Sequence, residues 1–210
     1  MSASYAQTAR TTPSRHAERA AYDEATVHDV LDSAVIGHLA YVADERPRLL
    51  PMLFVRMGHT VFLHASTGAH PARLTARRGG LAAVFETTIV DGLVLARSAF
   101  SHSANYRSVV AHGDLSLVTE PERKDEVLRA LLDKLVPGRA ADARPHRAGG
   151  DHRQPGRAAV APLRLGADAR AAGRGDPGRA GLRRAAPGLR GGSSGRAGRV
   201  RRVSPTRGSG

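Results

Sequence analysis

Residues 91–118 read DGLVLARSAFSHSANYRSVVAHGDLSLV. From Ser108 onward the pattern alternates. Val109, Ala111, Gly113, Leu115 and Leu117 share one face, and Ser108, His112, Asp114 and Ser116 share the other. That is the pattern of a half-buried antiparallel strand. Asp91-Gly92, between the apolar runs LAAVFETTIV (residues 81–90) and LVLARSAF (93–100), is a tight-hairpin signal. The polar stretch SHSANYR (101–107) is the entry to the strand that follows.

Working outward, residues 36–100 carry strand signals almost throughout. IGHLAYVA (36–43) is followed by a turn at DERP (44–47), then by RLLPMLFVRMG (48–58). Pro51 lies inside that run and cannot donate a ladder hydrogen bond, so it marks an edge or a bulge. HTVFLHA (59–65) follows a turn at Gly58. STGAHPARLTARRGG (66–80) reads as a loop leading into a short helix that ends at Gly79-Gly80. Upstream, Val27, Val30, Leu31 and Ala34 fall at helical spacing, with Thr26 as N-cap and Asp29 three residues on. Downstream, Thr119 and Glu122 form a capping-box pattern. The helix behind it carries Val127, Leu128, Leu131, Leu132 and Leu135 and stops at Pro137-Gly138. Six or seven strands in close succession with two or three short helices predict a mainly β (α+β) fold, a small antiparallel barrel with helical decoration. A Gly-x-Gly-x-x-Gly fingerprint and a P-loop lysine are both absent, which argues against a doubly wound dinucleotide fold.

The formal charge of +13 is unevenly placed. Residues 1–144 hold 17 Lys plus Arg against 16 Asp plus Glu. Residues 145–210 hold 15 Arg, no Lys and 3 Asp, with 15 Gly, 12 Ala, 6 Pro and only seven Val or Leu. Such a segment has too little apolar area to offset its ordering entropy, so a disordered basic tail is expected over 145–210. The predicted organisation is a flexible segment over 1–21, a folded domain over 22–144 and that tail. With no cysteine, no signal-like segment and no membrane-length apolar run, a cytoplasmic, non-membrane protein is expected. The ten histidines show no metal-ligand spacing, so no metal is expected.

RAAYDEATVHDVLDSAVIGHLAYV, RLLPM, VFLHASTG, the 91–118 block, ERKDEVLRALLDKLVPGR and ADARP occur in an order similar to the flavin-nucleotide-binding proteins of the pyridoxamine 5'-phosphate oxidase-like family. The nearest branch resembles the nitroimidazole-resistance type. The resemblance covers residues 15–145. It implies an FMN-binding split β-barrel, a homodimer with FMN at the subunit interface, and an FMN-dependent oxidoreductase. Such an enzyme acts on a small-molecule substrate with NAD(P)H as a possible electron donor.

An FMN phosphate needs Arg, hydroxyls or backbone N–H groups. Ser66, Thr67 and Arg73, at a strand-to-helix corner with Gly68, supply that chemistry, and by resemblance the family grips flavin there. Pro51, in the RLLPM piece, is grouped with them. His64 closes its strand and is the candidate catalytic residue, with Ala65 where the family commonly has Gly. Asn105, Tyr106, Arg107 and Ser108 complete the cofactor-binding set. For Arg107 and Tyr106 the structural alternative is an Arg–Asp contact and a core tyrosine.

Past residue 145 the related proteins continue with further strands, a Lys-x-Arg motif and a Trp. Here the chain turns to Gly, Arg, Ala and Pro, residue types that all have codons beginning with two G or C bases. This predicts a shifted reading frame starting around 145–150. Three further functional readings follow. One is a non-catalytic flavin, haem or deazaflavin binding module. Another is an inactive frameshifted product. The third, weaker, is non-specific nucleic-acid binding through the tail, which lacks aromatic residues for base stacking.

Overall fold

In the computed structural model, residues 3–142, 158–165 and 169–172 are described. Strand β1 (Ala20–Ala21) precedes α1 (Glu24–Ser33). β2 (Ile36–Ala43), β3 (Arg46–Met57) and β4 (Thr60–Ser66) follow, then α2 (His70–Arg78). β5 (Leu81–Val94) and β6 (Ser103–Leu115) form a long pair. α3 (Pro121–Leu135), α4 (Arg139–Asp142), β7 (Ala158–Arg164) and β8 (Ala169–Ala172) complete the set. The protein is mainly β sheet with a few short helices. Every strand pair is antiparallel, and the order is β1-β8-β6-β5-β2-β3-β4-β7, with β6 also meeting β7.

Alternation builds the core. Leu39 and Tyr41 of β2, Phe54 of β3, Leu63 of β4, Phe85 of β5 and Val109 and Ala111 of β6 all point inward and are buried. α1 lays Val27, Val30 and Leu31 on this cluster. On the opposite face of β3 and β4, Val55 and Phe62 pack with Val118 and with Val127 and Leu131 of α3.

Several elements differ from the sequence reading, each for a local reason. The N-cap of α1 is Asp23, whose carboxylate accepts the Thr26 N–H at 2.8 Å, so the helix starts before Thr26. The Thr119/Glu122 capping box does not form. Glu120 is the N-cap residue of α3 without a side-chain cap, Pro121 opens the helix, and the Thr119 hydroxyl donates to Glu120 instead. Asp91-Gly92 is not a hairpin turn. β5 runs through it, and Asp91 is the extra residue of a bulge between Val90, opposite Tyr106, and Gly92, opposite Asn105. A glycine inside a strand marks a bulge as readily as a turn. The chain reverses later, around the short 3-10 segment Ala99–Ser101.

The N-terminal segment is also tied down rather than loose. Tyr5 is buried, its N–H bonds the Tyr22 carbonyl at 2.8 Å, and Ser4 bridges Asp23. The tail contains strands. β7 pairs with the whole of β4, and β8 pairs with both β6 and β1. Leu163 and Ala171 are fully or almost fully buried. Disorder is therefore corrected for these two stretches. A few apolar residues suffice because they fill positions in an existing sheet, where the ladder supplies the backbone partners. Apart from Leu165, the remaining residues of the tail, including 145–150 where the frame change is expected, lie outside the described ones.

The β2–β3 hairpin turns on Asp44 and Glu45, both with positive φ (52° and 58°). A glutamate in that region costs about 1–2 kcal/mol over a right-handed conformation. Glu45→Gly is expected to stabilise the protein by about 1 kcal/mol, seen as a higher urea midpoint at unchanged m-value.

Lys134 of α3 reaches into the structure. Its Nζ lies 3.7 Å from the Phe54 ring centroid and donates to the Leu31 carbonyl at 2.8 Å. Burial outweighs these contacts and lowers its pKa from 10.5 to about 8. Between those values the unfolded chain binds more protons than the folded one, so stability rises with pH across this window. Urea titrations in the window should show that rise, and Lys134→Met should abolish it.

Candidate functional site

β3 changes partner along its length. Residues 46–53 pair with β2, whereas Phe54–Met57 pair with β4. β4 parts from β3 after Leu63 and continues against β7 alone through Ser66. Beyond the point of parting, β3 keeps β2 on one side and has no strand partner on the other among the described residues. The two diverging edges carry Leu49, Leu50, Pro51 and Met52 on one side and His64, Ala65 and Ser66 on the other. Leu49 is an exposed apolar side chain, and Pro51 is exposed beside it.

The corner after β4 leads into α2. The Ser66 hydroxyl accepts the Gly68 N–H at 3.2 Å, and the Ser66 carbonyl accepts the Ala69 N–H at 2.9 Å. Ala69 is the N-cap of α2 and offers no side-chain cap, so the first N–H groups of the helix have no capping side chain. Thr67 and Arg73 are exposed at this corner. His64 is half-buried, and burial lowers its pKa, which favours the neutral imidazole at physiological pH. His70, the first residue of α2, stacks on Tyr41 with ring centroids 5.9 Å apart, and its Nδ1 lies 3.0 Å from the Tyr41 hydroxyl. The Tyr41–His70 contact escaped the sequence reading because the two residues are far apart in the chain.

Tyr41 also borders an open groove of about 1160 Å³ on the outer face of the sheet. Ala40, Val84 and His112 lie along it, with Arg48, Arg78 and Arg123 among its charged residues. None of the nine residues singled out from sequence lines this groove.

Those nine fall into two groups. Pro51, His64, Ser66, Thr67 and Arg73 gather around the parting of β3 and β4. Asn105, Tyr106, Arg107 and Ser108 lie on β6 opposite the bulge of β5. The Arg107 guanidinium bonds Asp91 at 3.1 Å and Asp29 at 2.7 Å, and both carboxylates raise its pKa. This is the Arg–Asp contact of the structural alternative. Tyr106 is exposed rather than core, and Ser108 is buried between Thr88 of β5 and Ala172 of β8.

A separate cluster forms at the start of α1. Glu24 and His28 meet His59 from the β3–β4 turn, and burial lowers the His28 pKa. Glu24 and His28 are spaced i, i+4 in the sequence, which is a readable signal. It was hidden because the helix start was placed three residues too late.

Comparison with known proteins now places this architecture. A family model described as pyridoxamine 5'-phosphate oxidase matches residues 23–165. The chain belongs to that family. The match continues across β7, twenty residues past the end of the resemblance read from sequence. Among solved structures, the flavocytochrome Anf3 from Azotobacter vinelandii is 31% identical, with TM-score 0.70, covering 82% of this chain and 77% of that one. An FAD- and heme-binding protein from Mycobacterium smegmatis is 28% identical, with TM-score 0.63, covering 74% and 73%. A conserved protein, Rv2991, from Mycobacterium tuberculosis shares the fold at 15% identity, with TM-score 0.52, covering 80% and 89%. No curated protein matches the chain. No helix among the described residues is long and apolar enough to cross a membrane.

Proposed function

We propose that this protein binds a flavin nucleotide where β3 and β4 part, within a split β-barrel. The observation that carries the reading is the free edge of β3 over residues 46–53, set against the uncapped start of α2. A flavin nucleotide needs a phosphate grip, an apolar wall and backbone groups for the ring edge. The residues fit all three needs. Thr67, Arg73 and the first N–H groups of α2 suit a phosphate. Leu49 and Pro51 offer an apolar wall. The edge of β3 over residues 46–53 that has no strand partner among the described residues offers donors and acceptors.

The flavin supplies the capacity to carry electrons between a donor and a small-molecule acceptor. The protein's part is to hold it. His64, half-buried and favoured neutral, can accept a hydrogen bond at an imidazole nitrogen or hold a proton there. Tyr41 orients His70 at the helix start. A nicotinamide donor and an oxidoreductase activity complete the reading, with FMN as the first choice of flavin.

We further propose that two copies associate. Val90, Leu93, Leu95 and Phe100 on the β5–β6 arm, with Ile36 on the neighbouring strand β2, are exposed apolar side chains, and Phe100 is 98% exposed. Apolar surface of this kind is characteristic of an interface.

The two relatives at 31% and 28% identity favour a second reading, in which the site holds FAD with haem or haem alone. His64 is the residue that would hold the iron, because a neutral imidazole nitrogen suits haem iron. Titration of the purified protein with FMN, FAD and haemin separates these readings. Quenching of flavin fluorescence at one equivalent per chain supports a flavin site. A Soret shift with haemin, lost in His64→Ala, supports haem. A well-folded protein that responds to none of the three contradicts both.

A further inference from the structure

We infer that Glu24, His28 and His59 form a site for a divalent transition metal ion of the zinc class, apart from the flavin site. One ligand atom from each residue lies within 4.8 Å of the others. The His59 Nδ1 to Glu24 Oε1 distance is already 3.8 Å. Two ligands of a tetrahedral zinc ion, each about 2.1 Å from the metal, sit about 3.4 Å apart. A contraction of about one ångström would therefore close the set. The fold permits it. Glu24 and His28 lie on the same face of a single helix, held firmly by the Asp23 cap. His59 sits in the β3–β4 turn beside Gly58, with its side chain 60% exposed.

Two imidazoles and one carboxylate are a borderline donor set that suits zinc, cobalt or ferrous iron rather than calcium or magnesium. The Tyr5 hydroxyl already stands between the two rings, 2.8 Å from His28 Nε2 and 3.4 Å from His59 Nδ1. A water would complete the coordination, with the Tyr5 hydroxyl as its hydrogen-bond partner. The surrounding charge is mixed, since Arg56 disfavours a positive charge at His28 whereas Glu24 and Asp32 favour one. Arg56, the neighbouring positive group, is held by a bidentate contact to Asp32 at 2.9 and 2.6 Å and by the Gly58 carbonyl. Glu24 adds a negative charge. A bound ion would join the N-terminal segment, α1 and the β3–β4 turn at one point.

The test titrates the full-length chain, freed of metal by a chelator, with Zn²⁺ and separately with Co²⁺. The expected result is one high-affinity equivalent per chain, a tetrahedral cobalt d–d absorption, and a zinc-dependent rise in melting temperature. Removing one ligand should weaken zinc by at least about 100-fold, more than the loss of an outer hydrogen bond does. His59→Ala and Glu24→Gln should therefore both lose the cobalt band and the thermal shift. His59 is exposed and Glu24→Gln is nearly isosteric, so both variants should fold. Unchanged affinity in both variants would show that other side chains bind the metal and would overturn the inference. So would the absence of stoichiometric binding in the wild type.

Discussion

Leu163→Asp is expected to unfold the domain or cost more than about 4 kcal/mol, because it buries an unpaired carboxylate in the core. Leu163 belongs to β7, in the Arg- and Gly-rich part of the chain, yet it is fully buried among core residues. It stands opposite Val61 of β4 and also Leu115 of β6. That double pairing lets β7 join the two ends of the strand order β6-β5-β2-β3-β4. Without β7, β4 would present an open edge along its whole length and would have no strand partner on either side after Leu63, exposing a row of unpaired backbone groups. The milder Leu163→Ala should cost about 2–5 kcal/mol, read from its urea midpoint. A Leu163→Asp protein that melts with the wild type would mean that β7 contributes nothing to the fold.

The second large effect centres on Phe85. Its ring meets Phe54 edge-on, with centroids 4.8 Å apart, and both are fully buried. Gly37 of β2 lies directly against it. A Cβ added at Gly37 would fall 2.2 Å from two atoms of the Phe85 ring. Phe85→Ala should cost about 3–5 kcal/mol through lost burial and the cavity left behind. Gly37→Ala should also destabilise, by about 1–3 kcal/mol, because the ring is held by Phe54 and has little room to yield. The two residues share one space, so their effects should not add. In a Phe85→Ala background, Gly37→Ala should cost much less, since the new methyl then enters a cavity. Denaturant unfolding of the four proteins measures this coupling. Additive costs would mean that the contact is not where the structure puts it.

What the sequence revealed, and what it hid, follows from the range of the interactions. The strands from Ile36 onward announced themselves through local apolar runs bounded by turn signals, and burial of Val109, Ala111 and Leu115 follows the alternation read for the last of them. Pro51 signalled an unpaired edge, and β3 does lack a second partner there among the described residues. Asp91-Gly92 misled because a bulge and a tight turn use the same residues. The distinction lies in the long β5–β6 pairing, which continues on both sides of Asp91 and Gly92. The tail strands escaped because composition averages over 66 residues, while β7 needs only a few apolar side chains opposite a waiting edge. At the candidate site, Ser66, Thr67 and Arg73 were legible as one corner. The facing edge of β3 and the Tyr41–His70 contact come from the way the chain returns on itself. For Arg107 the sequence left an anion ligand and an Arg–Asp contact both open, because its two carboxylate partners, Asp29 and Asp91, are distant in the chain.

The central claim is that the corner between β4 and α2 holds the phosphate of a flavin nucleotide. Comparing FMN with riboflavin, which lacks that phosphate, tests it most directly. Each is titrated into the wild type and into Arg73→Ala while flavin fluorescence is followed. Loss of a charge-assisted contact is worth about 1.5–3 kcal/mol, so FMN should weaken by about 10- to 100-fold in the variant. Riboflavin, binding more weakly from the start, should be unaffected. Equal affinities for FMN and riboflavin in the wild type, or equal losses of both in Arg73→Ala, would contradict the assignment.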